Sequence, residues 1–159
     1  MAVRVIRENN RSEGRKKVTA APDIIAGQPL LLAANKETKA YDDTSHVAMP
    51  YGIAAESTEI LPIAPASGQT VGEGFDYTNF NRGGLVGAFV NGSELELFDD
   101  GRGKPFDDSV TYALNDKLYA GDNTLVTNDD DSAAANKIGS VVDFDVANGT
   151  NRLRAKFDI

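Results

Sequence analysis

LVGAFV, residues 85–90, leads through Asn91-Gly92 into SELELF, residues 93–98. The first run is apolar, and the second alternates leucine with glutamate at the two-residue period of a half-buried strand. Asn-Gly between two such runs is the strongest short-range signal for a β-hairpin. The centre of the chain therefore predicts two paired antiparallel strands and a fold built from β-structure.

Further strand signals lie on both sides of this stretch. They are short apolar runs at residues 30–32, 49–54, 110–114, 118–120, 124–126 and 138–142. The last run, residues 152–159, follows a second Asn-Gly turn and alternates Leu153, Ala155, Phe157 and Ile159 with charged residues. Since no segment shows a sustained helical period, these short strands predict an all-β body, either a sandwich or a barrel.

The first 17 residues differ in charge from the rest of the chain. Six basic and two acidic residues give them a net charge of +4, while ten basic and 22 acidic residues give the remainder −12, for −8 in all. We expect residues 1–17 to form a flexible basic arm extending from one β-rich domain, residues 18–159.

The arm is the candidate contact site. Its apolar residues can add a strand to a partner, and its cations can pair with the partner's carboxylates. The predicted contact residues are Val3, Arg4, Val5, Ile6, Arg7, Arg11, Arg15, Lys16 and Lys17.

Part of the sequence repeats at an offset of 87 residues. Leu31-Leu32-Ala33 falls on Leu118-Tyr119-Ala120, and Tyr51-Gly52-Ile53-Ala54 falls on Ile138-Gly139-Ser140-Val141. Gly52 and Gly139 coincide in the second of these matches, and a glycine within a strand indicates a bulge or a close backbone approach. The repeat predicts two similar β-units, at about residues 18–56 and 110–159, with residues 57–109 inserted between them; a chance match of generic strand patterns is the alternative.

Composition excludes several kinds of catalytic chemistry, although an acid pair of the glycosidase type stays open with no pair singled out. The chain has no cysteine, so thiolate catalysis, disulfides and cysteine-ligated zinc are ruled out. His46 is its only histidine and lies in the loop Asp42-Asp43-Thr44-Ser45-His46, where neighbours in sequence rarely adopt the geometry of a catalytic triad. We expect no enzyme activity.

Acidic and glycine-rich segments fit turns better than binding sites. Asp42-Asp43, Asp99-Asp100, Asp107-Asp108 and Asp129-Asp130-Asp131 lack the ligand spacing of an EF-hand. Gly101-Arg102-Gly103-Lys104 is followed by Pro105, where a phosphate-binding loop has serine or threonine. We expect neither a metal nor another cofactor.

Macromolecular partners are limited by charge and hydropathy. No apolar run approaches the ~20 residues that cross a bilayer, and the N-terminus lacks the apolar core of a signal peptide. The acidic body argues against direct contact with nucleic acid. We therefore expect a protein partner.

Two segments resemble the bacteriophage capsid decoration proteins, also called cement or head-stabilising proteins. The first runs through residues 24–32, Lys39-Ala40-Tyr41 and Tyr51-Gly52-Ile53-Ala54. The second runs through residues 115–119, Leu125-Val126, residues 138–142 and residues 152–157. Together they cover about half of the chain, and residues 57–110 have no counterpart.

The resemblance implies a viral structural protein on the outer surface of an icosahedral head, assembled in the host cytoplasm. Its implied partners are the phage major capsid protein and further copies of itself, commonly as a homotrimer, with the N-terminal arm contacting the shell. One alternative is another virion component, such as a tail-tube, head-completion or fibre-associated protein. Another is a carbohydrate-binding β-barrel module using Tyr51, Phe75, Tyr77 and Phe80.

Overall fold

The structure is a computed structural model, which describes residues 3–7, 16–18, 24–45, 48–58, 85–90, 92–99, 101–121, 124–129, 137–145 and 151–159. These ranges contain strands and no helix. The strands are β1 (Val3–Arg7), β2 (Lys16–Lys17), β3 (Pro29–Leu32), β4 (Thr38–Ala40), β5 (Gly52–Ala54), β6 (Leu85–Val86), β7 (Ala88–Phe89), β8 (Glu94–Phe98), β9 (Lys117–Ala120), β10 (Val126–Thr127), β11 (Lys137–Asp145) and β12 (Arg152–Phe157).

Six strands form the main sheet, in the order β1-β8-β12-β11-β9-β10, and each neighbouring pair is antiparallel. One face carries the alternating apolar residues of the central strands. On β12 these are Leu153, Ala155 and Phe157, all fully buried, as the alternation in the sequence predicts. Leu95 and Leu97 of β8 lie opposite Ala155 and Leu153 on the same face.

Four strands form a smaller sheet, in the order β4-β3-β5-β7. Leu31 and Ile53 belong to the core shared with the main sheet. Leu30 and Ala54, next to them in sequence, point to a second core that also contains Val86 of β6. Both faces of the smaller sheet are therefore covered: one by the main sheet, the other by the two-stranded ribbon of β2 and β6.

This layering confirms the prediction of an all-β body. Separate sheets packed through a common apolar core make a sandwich, which decides between the two architectures that the sequence left open. Cores on both faces of a sheet require continuous apolar runs, and this explains why Leu30 and Leu31 are both buried.

The hairpin predicted around Asn91-Gly92 is wrong. The strands on either side belong to different sheets, because β7 pairs with β5 whereas β8 pairs with β1 and β12. The Gly92 amide donates to the Phe157 carbonyl at 2.7 Å, and the Phe157 amide donates to the Ser93 carbonyl at 2.9 Å. The turn thus attaches the chain to β12 as it changes sheets.

The middle of the chain is also integrated into the body. Residues 57–109 were expected to be an insertion, but their described part supplies β6, β7 and β8, and β8 is an interior strand of the main sheet. Residues 110–114, expected to be a strand, pair with no strand in the part of the chain that the structure describes. Instead, Tyr112 is buried and donates its hydroxyl to the Asp107 carbonyl at 2.7 Å.

Candidate docking face

One side of the main sheet is covered by charged side chains, and we call it the outer face. These residues alternate with the buried apolar residues on each strand, so they lie on the side away from the core. The outer face consists of Arg4 on β1, Glu94, Glu96 and Phe98 on β8, Lys117 on β9, Ser140, Asp143 and Asp145 on β11, and Arg152, Arg154 and Lys156 on β12.

A chain of ion pairs crosses four strands on this face. The Arg4 guanidinium donates to Glu96 Oε2 at 2.8 Å, and Arg152 Nη1 donates to the same oxygen at 3.1 Å. Arg152 Nη2 continues to Asp143 Oδ2 at 3.2 Å. Strands β1, β8, β12 and β11 are therefore joined by side chains as well as by their backbone ladders.

Glu96 is the centre of this network. Its side chain is only 7% exposed, and burial, the largest single influence, would raise the pKa of its carboxyl group. Hydrogen bonds from Arg4 and Arg152 together outweigh burial, so the pKa of Glu96 lies below its ordinary value. The same bond to Glu96, aided by Asp143, raises the pKa of Arg152. Glu96 therefore stays ionised at neutral pH.

The outer face exposes more cations than anions, its exposed carboxylates being Asp143, at 48%, and Asp145. The Arg4 side chain is 64% exposed over an almost buried Glu96, and the Arg154 side chain is 32% exposed beside a 17% exposed Glu94, with which it forms an ion pair. Lys117 and Lys156 are also exposed, on strands to either side of Ser140. The face carries five cations and four anions on a chain of net charge −8.

The predicted arm residues are divided between two places. Val3–Arg7 forms edge strand β1 of the main sheet, with Val3 2% exposed in the core and Val5 and Ile6 exposed. This segment therefore differs from a flexible arm, because Val3 adds apolar burial and Arg4 completes the Glu96 network. Lys16 and Lys17 pair with β6 in the two-stranded ribbon. Arg11 and Arg15 lie outside the described residues.

Sequence reasoning did not identify the outer-face cations Lys117, Arg152, Arg154 and Lys156. A usable signal was present, since Arg152, Arg154 and Lys156 alternate with apolar residues and so share one face of a strand. Their neighbours Glu94 and Glu96 have the same spacing on β8. Only the pairing of β8 with β12 shows that these two rows of charge lie side by side.

The acidic loops act as turns where the structure describes them. Asp99 Oδ1 accepts from the Gly101 and Gly103 amides at 2.7 and 3.0 Å, and both glycines have positive φ. Asp43 accepts from the Ser45 amide at 3.0 Å in the same manner. No three acidic or histidine side chains of the described ranges are grouped to hold a metal ion. His46 lies outside those ranges.

Of the four aromatic residues proposed for a carbohydrate-binding module, the structure describes only Tyr51. Its side chain is half-buried against the second core, and its hydroxyl is hydrogen-bonded to Thr38 Oγ1. Phe75, Tyr77 and Phe80 lie outside the described residues. Tyr51 thus packs within the smaller sheet rather than offering a flat exposed ring.

Comparison with protein-family models, with curated proteins and with solved structures finds no match to this chain. Within the described ranges, no helix is both long and apolar enough to cross a membrane.

Proposed function

We propose that this protein binds the outer surface of a phage head and stabilises the capsid lattice by bridging neighbouring major capsid protein subunits. The observation that carries the proposal is the outer face, where exposed cations outnumber exposed carboxylates and Glu94 and Glu96 are shielded, on an otherwise acidic protein. Such a face fits an acidic protein surface, because its exposed charge attracts carboxylates while the rest of the molecule repels them. The resemblance of two segments to decoration proteins supports the same function.

Edge strand β1 lies beside this face and can take part in the contact. Val5 and Ile6 are 42% and 37% exposed, and within the described ranges β1 pairs with β8 alone. A sheet edge carrying exposed apolar residues is a surface to which a partner can add a strand. Contact through β1 and the outer face together would combine backbone hydrogen bonds with charge pairing.

Stabilisation follows from multivalent binding. A protein that contacts several subunits at once gains avidity from individually weak contacts. Because it binds the assembled lattice and not dispersed subunits, it shifts the equilibrium towards the assembled shell by mass action. A homotrimer would multiply these contacts at three-fold positions. This role uses binding alone and no catalytic step.

Co-sedimentation with undecorated heads tests the proposal. Purified protein should saturate the heads at a fixed number of copies per capsid and raise the temperature at which they disrupt. Lys156→Glu reverses an exposed charge on the outer face and should weaken binding, most strongly at low salt. Lys39→Glu makes the same change on the smaller sheet, at a side chain 30% exposed, and should bind like the native protein.

Point variants are preferable to removing residues 1–17. That deletion would take Val3 out of the core and Arg4 away from Glu96, so lost binding could follow from a destabilised sheet. Failure of the native protein to associate with any head would overturn the proposal. Equal binding by Lys156→Glu and native protein would show that the outer face does not contact the head.

A further inference from the structure

The structure repeats a set of contacts, at an offset of 88 residues for β3 and β4 and of 87 residues for β5. Strand β3 pairs with β4 and β5, and strand β9 pairs in the same manner with β10 and β11. The registers of β3 with β4 and of β9 with β10 agree, since Leu32 faces Thr38 and Ala120 faces Val126. On the other side, Pro29 faces Ile53 and Lys117 faces Ser140. Even the isolated parallel bridges correspond: Val18 with Thr38, and Phe106 with Val126. We call residues 18–54 the first unit and residues 106–141 the second unit.

Each unit also contains the same turn before its first strand. In the 25–28 turn, the Ile25 amide donates to Gln28 Oε1 at 2.9 Å, and Gly27 has a φ of 97°. In the 113–116 turn, the Ala113 amide donates to Asp116 Oδ2 at 2.8 Å, and Asn115 has a φ of 68°. Gln28 therefore corresponds to Asp116, and Ala26 to Leu114.

The two turns differ in what covers them. The 25–28 turn is covered by residues outside its own unit: a Cβ on Gly27 would come within 2.8 Å of Pro105, which directly precedes the second unit, and Gln28 Nε2 donates to Thr124 Oγ1 of the second unit at 2.5 Å. Ala26, within this turn and in the core shared with the main sheet, is 1% exposed. In the 113–116 turn the corresponding residue, Leu114, is 61% exposed, more than any other large apolar residue of the described ranges.

The surface that would receive the second turn is given by the same offset. Thr124, which receives Gln28, corresponds to Lys36 of the first unit, and both have left-handed backbone, with φ of 67° and 64°. Lys36 is exposed. Asp116 would therefore meet Lys36, replacing an amide–hydroxyl pair by a carboxylate and an ammonium group of opposite charge.

We propose that the 113–116 turn of one copy docks on the first unit of a second copy, with Leu114 buried and Asp116 paired to Lys36. The contact repeats between chains the one that the two units make within a chain. Because the turn and its receiving surface are different parts of the molecule, copies join head to tail, and the assembly closes into a ring or continues as a chain. The inference deepens the self-association included in the proposed function by naming its surface.

Carbodiimide cross-linking of the native protein tests the pairing directly. Light and heavy-isotope protein are mixed, cross-linked and digested, since the reagent joins carboxylates to amines that are in contact. We expect Asp116–Lys36 peptides that combine both isotopes. Cross-links confined to one isotope, or none between these two residues, would overturn the proposal.

Sedimentation velocity of purified variants provides the second test. Native protein should sediment as an oligomer, and Leu114→Asp should raise the dissociation constant by at least about tenfold, since a charge replaces a buried leucine. Met49→Asp makes the same change at another exposed apolar residue, 52% exposed, and should leave association unchanged. Lys36→Glu should dissociate the oligomer, whereas Lys36→Arg should retain it.

Circular dichroism of each variant establishes that it is folded. A native protein that is monomeric at all concentrations would overturn the inference, even if it binds heads. Conversely, the native protein could form an oligomer that Leu114→Asp dissociates and yet fail to bind phage heads. That result would support this interface and refute capsid binding. The two proposals can therefore fail separately.

Discussion

Arg4 and Glu96 are joined by a 2.8 Å hydrogen bond across 92 residues of sequence. The bond attaches the first strand of the chain to an interior strand of the main sheet, beside the backbone pairing of the same two residues. Arg152 approaches Glu96 from the opposite side at 3.1 Å. A nearly buried carboxylate is thus held between two guanidinium groups, and several properties of the protein should depend on it.

Glu96→Gln should destabilise the protein. The amide keeps the size of the side chain but removes its charge, so both guanidinium groups lose an ionised partner. We expect the free energy of unfolding to fall by about 1–3 kcal/mol in urea titrations. Asp42→Asn alters the exposed Lys39–Asp42 pair and should change it by less than about 0.5 kcal/mol. A loss below about 0.5 kcal/mol for Glu96→Gln as well would contradict a stabilising role for the Glu96 network.

Lowering the pH should weaken this network, because protonation of Glu96 removes the charge that both arginines pair with. The pKa of Glu96 is lower in the folded chain than its ordinary value of 4.5, because the arginine bonds outweigh burial. Its contribution is therefore complete above that value and is lost as the pH falls through the folded pKa. The deficit of Glu96→Gln relative to native protein should be largest at neutral pH and shrink in acid.

A second carboxylate provides the control for the pH series. A hydrogen bond from Lys104, the largest influence, lowers the pKa of Asp108, yet this side chain is 54% exposed. Asp108→Asn should therefore give a smaller deficit at neutral pH, because solvent screens the pair. A loss of unfolding free energy in Glu96→Gln that stays constant with pH would contradict a stabilising role for the ionised Glu96 carboxylate.

Gly139→Ala should disrupt the pairing of β11 with β12. A Cβ at residue 139 would overlap the carbonyl oxygen of Lys156, which is backbone and cannot rotate away. We expect a loss of about 3 kcal/mol or more in unfolding free energy, measured by urea titration. Ser140→Ala, one residue along the same strand, should stay within about 0.5 kcal/mol of native. Tolerance of alanine at residue 139 would contradict this close approach.

The two faces of β12 should respond differently to truncation. Leu153 is fully buried, and Leu153→Ala should cost about 2–5 kcal/mol through lost burial and the cavity left behind. Lys156→Ala removes an exposed side chain from the outer face and should cost less than about 0.5 kcal/mol. Thermal unfolding of both variants measures the difference in their stability. Similar losses would contradict the placement of Leu153 in the core and Lys156 on the outer face.

The sequence pattern correctly predicts those features of the fold that depend only on residues close together in the chain. The alternation of residues 152–159 correctly gave β12 and its buried face, because strand geometry fixes which side each residue occupies. The Asn-Gly turn at residues 91–92 misled because turn chemistry is local, whereas the choice of sheet depends on the partners of β7 and β8. Nothing near Val90 or Ser93 in sequence records that choice.

The candidate site shows the same limit. Arg4 was identified as a contact residue from its place in a basic segment, but its partner Glu96 is too distant in sequence for any spacing rule to reveal. Arg152 and Arg154 belong to the acidic body, whose net charge does not mark them as contact residues. Their significance arises only where β8 and β12 pair, which brings two charged rows together.

The passage of the chain between its two sheets has a mechanical consequence. Phe89 ends a strand of the smaller sheet, Glu94 begins an interior strand of the main sheet, and Gly92 and Ser93 between them are hydrogen-bonded to Phe157. Tension applied to one layer therefore reaches the other along a short covalent span clamped to β12. A load that separates the layers would therefore act first on the hydrogen bonds that hold Gly92 and Ser93 to Phe157.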